Sequence, residues 1–334
     1  MHGSYLLCLA HTRHKFYLPV KPGRPPGYIG REGQFLFPPN VEDVPAEAVK
    51  ELELDGILFQ RAEQYRRDQF ELFSDEQRAL PKIFLEHDPP WGHPTDTRHP
   101  AAGDSKTLIV HVTPFNALMW DNGSSATKTI AHGVIEPAAS YDGSLPRGLV
   151  VVNNLRSRGR LAGADLIERV RRAGIPLDVV GMDAEAYGGH EVAHRDLPAF
   201  AAQYRFFFNP IRYTSLGLAV CEAMMLGMPV IGLGTTEMAT AVRNGISGYV
   251  DTDVEALIER MRELLDDPGE ARRLGQGAKQ EAQSRFSMRR FVREWHEAFA
   301  SLPKPSRPRR RAMSLDWPMA HGAAEAVLEA ERRG

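Results

Sequence analysis

With 334 residues the chain is long enough for two domains of ordinary size, each with its own core. A balance of 43% hydrophobic and 25% charged residues is that of a globular protein, and a net charge of -2 argues against binding nucleic acid or membrane mainly through charge. Cys8 and Cys221 stand far apart without metal-ligand spacing, which argues against a disulfide framework or zinc site and fits a reducing cytoplasm.

The chain opens on Met1-His2-Gly3-Ser4, a glycine turn with no strand before it. Either the start lies upstream or the first domain lacks its opening strand. The apolar patch Tyr5 to Ala10 is too short for a signal-peptide core and lacks a basic run before it. No apolar run approaches the ~20 residues of a membrane span. Asn122-Gly123-Ser124 has the form of a glycosylation sequon, read as an accident without an export signal.

Strands are predicted at 56–59, 82–85, 107–112, 148–152, 177–180, 205–208 and 229–233, several apolar at successive positions as in strands covered on both faces. Helices are predicted at 62–73, 164–173, 216–226, 254–265 and 288–299. Such alternation implies right-handed crossovers and mainly parallel sheets, an α/β fold. Proline, glycine and serine crowd residues 136–147, where an interdomain linker is placed. From Pro303 to Arg311 a basic, proline-rich run begins a tail. It can touch phosphate or acidic lipid, but a solvated linker is the plainer reading.

The stretch Asn209 to Val250 carries the most chemistry. A buried strand ends in Asn209-Pro210, and a loop leads to a helix opening near Ser215. Gly217 lets the backbone approach a ligand, and the free N–H groups of the helix start suit a phosphate. Gly227 ends the helix and Pro229 enters the next strand. Glu222 stands in an otherwise apolar helix and must find donors, either ribose hydroxyls or partners within an interdomain surface.

Gly217-Leu218, Glu222-Ala223-Met224, Gly227-Met228-Pro229-Val230-Ile231 and Asn244-Gly245-Ile246-Ser247-Gly248-Tyr249-Val250 together resemble the C-terminal domain of the retaining family 4 (group 1) glycosyltransferases. The resemblance implies a GT-B fold, two Rossmann-like doubly wound domains facing across a cleft. The expected division is an acceptor-binding domain over 1–136, a nucleotide-sugar-binding domain over 137–286, a helix over 287–302 crossing back to the first domain, and a basic tail over 303–334.

It also implies a set of roles. Glu222 binds the donor ribose, and the Leu216, Gly217 and Leu218 backbone meets the diphosphate. Thr214 stands where the family has the first glutamate of its pair, the one facing the donor sugar, and Glu237 stands in a loop that is usually glycine-rich, either as a replacement carboxylate or as an exposed loop residue. Arg156 matches the family's first phosphate-gripping cation. The lysine position reads Ala162, so Arg158 or Arg160 is the substitute; forked guanidinium groups suit two phosphate oxygens and keep their charge. Gly181 ends a strand near the nucleobase turn, and His194-Arg195-Asp196-Leu197 lies in the base-contacting loop.

In the first domain, Glu86-His87-Asp88-Pro89-Pro90 follows a strand at the end where α/β folds bind ligands. The family often has a histidine there near the reacting carbon, so His87 is the first catalytic candidate, with Arg156. Asp88, Asp96 and Arg98 in the polar loop that follows, and Gly3 in the first turn, are the acceptor-side candidates. His132 is read as structural.

The expected reaction moves a sugar from a nucleotide-diphosphate donor to an acceptor hydroxyl with retention, the leaving phosphate taking the proton. No cofactor beyond that co-substrate and no metal is expected, since no Asp-x-Asp motif stands in a convincing place. The expected protein is cytoplasmic, does not bind nucleic acid and has no membrane span. Its acceptor is left open as a small molecule, a lipid-linked molecule or a polysaccharide, with peripheral membrane contact open too. Two rivals stand beside transfer: a sugar-nucleotide epimerase on the same fold, and a non-catalytic nucleotide-sugar-binding protein.

Overall fold

The computed structural model describes residues 3–31 and 35–303; the basic tail, Pro303 apart, lies outside the described residues. The chain opens with helix α1 (Gly3–Ala10), followed by a parallel pair, β1 (Phe16–Val20) and β2 (Val41–Pro45). A four-stranded parallel sheet comes next, with β3 (Ile57–Phe59), β4 (Lys82–Glu86), β5 (Thr107–His111) and β6 (Thr127–Thr129) side by side in chain order. Short helices α2 (Gln69–Leu72), α3 (Asp75–Arg78) and α4 (Pro114–Met119) connect them.

The second half holds a five-stranded parallel sheet. Its strands are β7 (Leu145–Val151), β8 (Leu177–Val180), β9 (Tyr204–Asn209), β10 (Val230–Leu233) and β11 (Gly248–Asp251), in the order β11-β10-β9-β7-β8. Its helices are α5 (Leu155–Arg158), α6 (Ala164–Arg172), α7 (Leu197–Ala201), α8 (Leu218–Leu226), α9 (Met238–Ala241), α10 (Val254–Asp266), α11 (Pro268–Arg285) and α12 (Met288–Ser301).

Every residue of β9 is buried, including Arg205, whose guanidinium donates to the carbonyls of Gly143, Leu264 and Leu265. That answers the cost of burying a charge in a central strand. Gly148 on β7 is there for space: a Cβ would stand 2.4 Å from the Phe206 ring on the neighbouring strand. Separate apolar cores fill the faces of this sheet, one around Leu149, Phe207 and Met224, the other around Val150, Phe206 and Ile258.

Helix α12 packs against the beginning of the chain. Phe291 and Trp295 are fully buried beside Tyr5, Leu9 and Val110, and the Trp295 indole donates to the Tyr5 hydroxyl at 3.2 Å across 290 residues. Truncating such a buried aromatic costs about 3–5 kcal/mol.

The structure departs from the sequence expectations in several elements. Gly3–Ala10 is a helix with Tyr5, Leu6 and Leu9 buried, not a leftover turn. The helix expected over 62–73 is present as an unbroken helical stretch over 62–72, but its middle, Gln64–Asp68, is wound as a wide π segment before α2. Residues 248–251 form strand β11. Helix α8 begins at Leu218, because Gly217 is extended (φ -64°, ψ 135°) and acts as its N-cap. The long α11 has no counterpart among the expected elements. Its Gly275 and Gly277 lie against the carbonyls of Gly227 and Ile246, where a Cβ would come within 2.0 Å. Close backbone packing there replaces the apolar stripe that makes a helix visible in sequence.

Candidate active site

In the second sheet β7 lies between β8 and β9, so its order reverses at β7. Ligands of open α/β sheets bind in the crevice outside the strand ends at such a point. The segments after β7 and β9 meet there: Arg212 N–H donates to Leu161 O at 2.9 Å, and the Thr236 hydroxyl, after β10, reaches Ser215 O at 3.3 Å.

Helix α8 starts on this rim. Its N-cap Gly217 provides no side-chain cap, and a Cβ added to it would meet nothing within 4 Å. Neither φ nor crowding demands glycine here, in contrast to Gly181, whose φ of +140° and 2.3 Å approach to Val152 O require it. The bare backbone thus leaves room over a helix start whose free N–H groups and dipole attract anions. Leu216 is buried, its carbonyl 2.9 Å from His132 Nε2 of the first half, while Leu218 packs against the core that holds α1 and α12.

Arg158 is half-buried; desolvation lowers its pKa from the ordinary arginine value, and the Asp88 charge acts on it from the first half. Arg156 is exposed on the same short helix. Arg160 is bound to Asp165 at 2.8 Å, and Arg212 grips that carboxylate at 2.7 and 2.8 Å. Arg160 is thus committed to Asp165, which leaves Arg156 and Arg158 as the candidate cations of this helix.

Glu222 Oε1 is 3.1 Å from His194 Nε2, a contact that raises the histidine's pKa. Both line a cavity of about 270 Å³ with mostly apolar walls, among them Cys8, Val134 and Leu218. Thr214 is half-buried. Glu237 is 4% exposed and takes three donors: Phe115 N–H at 3.2 Å, Thr240 Oγ1 at 2.7 Å and Arg285 at 3.4 Å. It is a buried carboxylate that ties residues far apart in the chain, not an exposed loop residue.

His87 directly follows β4, buried, with Nε2 2.9 Å from Gln60 Oε1 and its ring edge-on to Tyr5 at 4.9 Å. Asp88 follows, its carbonyl fixed by the Trp120 indole at 2.8 Å. Glu86 is pushed up to about 8 by burial, and His99, with Nε2 at 3.2 Å from it, is pushed down to about 4 by burial. At neutral pH this contact joins two neutral groups. Asp96 is exposed in the loop, whereas Arg98 turns to Asp121 at 4.0 Å. Gly3 begins α1, whose Ser4 and Leu7 line the cavity by Glu222.

Tyr213, beside Thr214, was not singled out from sequence. Its hydroxyl donates to Pro90 O at 3.0 Å, and its ring stands edge-on to Trp91 at 6.1 Å and Phe115 at 6.3 Å. These contacts join segments from 98 to 123 residues apart, so no local pattern announces them. Among the described residues no group of three or more His, Cys, Asp or Glu could hold a metal ion, and no helix is long and apolar enough to cross a membrane.

Residues 167–267 match the family model described as glycosyl transferases, group 1. That match covers less than a third of the chain; the fold of the chain as a whole is GT-B. Sucrose-phosphate synthase from Thermosynechococcus elongatus superposes with a TM-score of 0.66 at 15% identity, covering 89% of this chain and 91% of that one. HepE from Anabaena, solved with UDP and glucose, gives 0.59 at 14% identity over 74% and 78%. TarM of S. aureus, solved with fondaparinux, α-GlcNAc-glycerol and UDP, gives 0.52 at 12% over 67% and 52%, so this chain spans about half of TarM. No curated protein matches by sequence.

Proposed function

We propose that the protein transfers a sugar from a nucleotide-diphosphate donor to an acceptor hydroxyl with retention of anomeric configuration. The observation that carries this is Gly217: a helix start at the sheet's switch point, bare where the fold does not ask for glycine. We take residues 137–286 as the donor half and residues 1–136 as the acceptor half, with α12 bridging back.

In this reading the diphosphate lies over Gly217 and Leu218, with Arg158 neutralising the charge that builds up as the bond to the sugar breaks and Arg156 closing over it. The nucleoside enters the cavity by Glu222, which accepts from ribose hydroxyls; Gly181 keeps the turn after β8 close by. His87, oriented by Gln60, faces the reacting carbon. The leaving phosphate takes the acceptor proton, so no cofactor or metal enters the scheme. UDP-sugars are the first donors to try, because UDP is the nucleotide in the HepE and TarM structures.

Thr214 in place of the family's first glutamate favours a second reading, nucleotide-sugar binding without turnover. Incubation with radiolabelled UDP- and GDP-sugars separates these. Transfer predicts free nucleotide and a glycosylated acceptor. An altered sugar on intact nucleotide means epimerisation, and tight binding without turnover means a sensor.

A further inference from the structure

Trp91, Tyr213 and Phe115 belong to none of the four apolar cores. They come from three segments, the loop after β4, the loop after β9 and the first turn of α4, and meet around the Tyr213 ring. Trp91 is 54% exposed, an expensive place for an indole that gives nothing to a core. Its loop is nonetheless held in place: the Tyr213 hydroxyl donates to Pro90 O at 3.0 Å, and the Trp120 indole anchors Asp88 O at 2.8 Å. Tyr213 stands nearly perpendicular to it, at 77°.

The indole stands on an anchored loop shortly after His87 and Asp88 in the chain, and exposed His93, Thr95 and Asp96 follow in the same loop, so an apolar plate and groups that bond hydroxyls share one segment. A pyranose ring has this same division, an apolar face of axial C–H bonds and a rim of hydroxyls. An acyl chain would need a continuous apolar wall, and this loop is mainly polar.

We infer that Trp91, backed by Tyr213 and Phe115, is an acceptor subsite that stacks a sugar ring, so that the acceptor is a glycoside or oligosaccharide. Its substrate role rests on the transferase reading. Tyr213 comes from the donor half, so the platform is complete only when both halves contribute.

The test is saturation-transfer NMR on the intact protein, with methyl glycosides and disaccharides of glucose, galactose, mannose and N-acetylglucosamine at millimolar concentration. UDP-sugar thermal shifts run in parallel. Trp91→Ala and Trp91→Phe should both keep the wild-type melting temperature, since Trp91 supports no core. The expected result is transfer to ring C–H protons in wild type, at least a tenfold loss of affinity in Trp91→Ala, partial retention in Trp91→Phe, and an unchanged UDP-sugar shift in all three. If UDP-sugars bind but no saccharide does, or if Trp91→Ala binds saccharide like wild type, the subsite is overturned and the transferase reading stands. If no nucleotide sugar binds, the transferase reading falls, and the saccharide signals alone decide whether the indole is a sugar site.

Discussion

The carboxylate of Glu237 accepts the backbone N–H of Phe115 at 3.2 Å across 122 residues, hydrogen-bonding the loop after β10 to the first turn of a helix in the other half. Arg285 lies 3.4 Å from the same carboxylate. Replacing Glu237 with alanine leaves a partly buried N–H and a partly buried cation without that partner, which should cost about 1–3 kcal/mol of unfolding free energy. Urea denaturation checks it. A donor-binding role alone would lower nucleotide-sugar affinity and leave stability unchanged.

The arginines after β7 divide by their partners. The Asp88 charge acts on Arg158, and Arg160 is tied to Asp165. Arg158→Ala should weaken nucleotide-diphosphate binding by at least tenfold, since a charge-assisted hydrogen bond contributes about 1.5–3 kcal/mol. Arg160→Ala should change it by less than about threefold, an exposed ion pair being worth about 0–1 kcal/mol. Calorimetric titration with UDP compares them, and equal losses would contradict the division.

The Glu222–His194 contact gives a pH dependence with a definite sign. The histidine's pKa is raised in the folded protein, so the pair stabilises fully below the ordinary histidine value and fades as pH rises through the raised one. The stability gap between wild type and His194→Ala should be larger at pH 6 than at pH 9. Glu222→Ala should in addition lose UDP affinity by roughly 10- to 100-fold if its carboxylate accepts ribose hydroxyls.

Glu86 and His99 pull in opposite directions. Glu86, pushed up to about 8, holds its proton in the fold but not unfolded, so its contribution falls as pH rises from about 4.5 to about 8. His99, pushed down to about 4, stays neutral in the fold, so its contribution is lost as pH falls from about 6.5 to about 4. Melting temperatures across that range should fall less steeply toward alkaline pH in Glu86→Gln, and less steeply toward acid in a His99→Gln variant that folds. Parallel curves for wild type and Glu86→Gln would contradict the first half.

Strands β4, β5, β8, β9 and β10 were legible because strands covered on both faces are apolar at successive positions, and the α8 segment because its glycines, Glu222 and Pro229 keep a fixed order. Helix α1 was hidden by its shortness and α11 by glycines that pack backbone on backbone. At the site, the residue types were readable but their partners were not. Asp165 claims Arg160 across a short turn, whereas Phe115 claims Glu237 and Tyr213 reaches Pro90 through contacts set by the tertiary fold. Thr214 alone gave no sign that its neighbour Tyr213 bonds Pro90 and packs on Trp91 and Phe115.

The central claim is that a nucleotide-diphosphate sugar binds over the N-terminus of α8, and Gly217 tests it most directly. A Cβ there meets nothing in the protein, and φ of -64° suits any residue, so Gly217→Val should fold with a melting temperature near that of wild type. Thermal shifts with a panel of UDP- and GDP-sugars should raise the melting temperature of wild type and leave Gly217→Val unmoved, because the added methyl groups occupy the space of the phosphates. A panel in which no nucleotide sugar shifts wild type, or in which Gly217→Val shifts as much as wild type, would contradict the account.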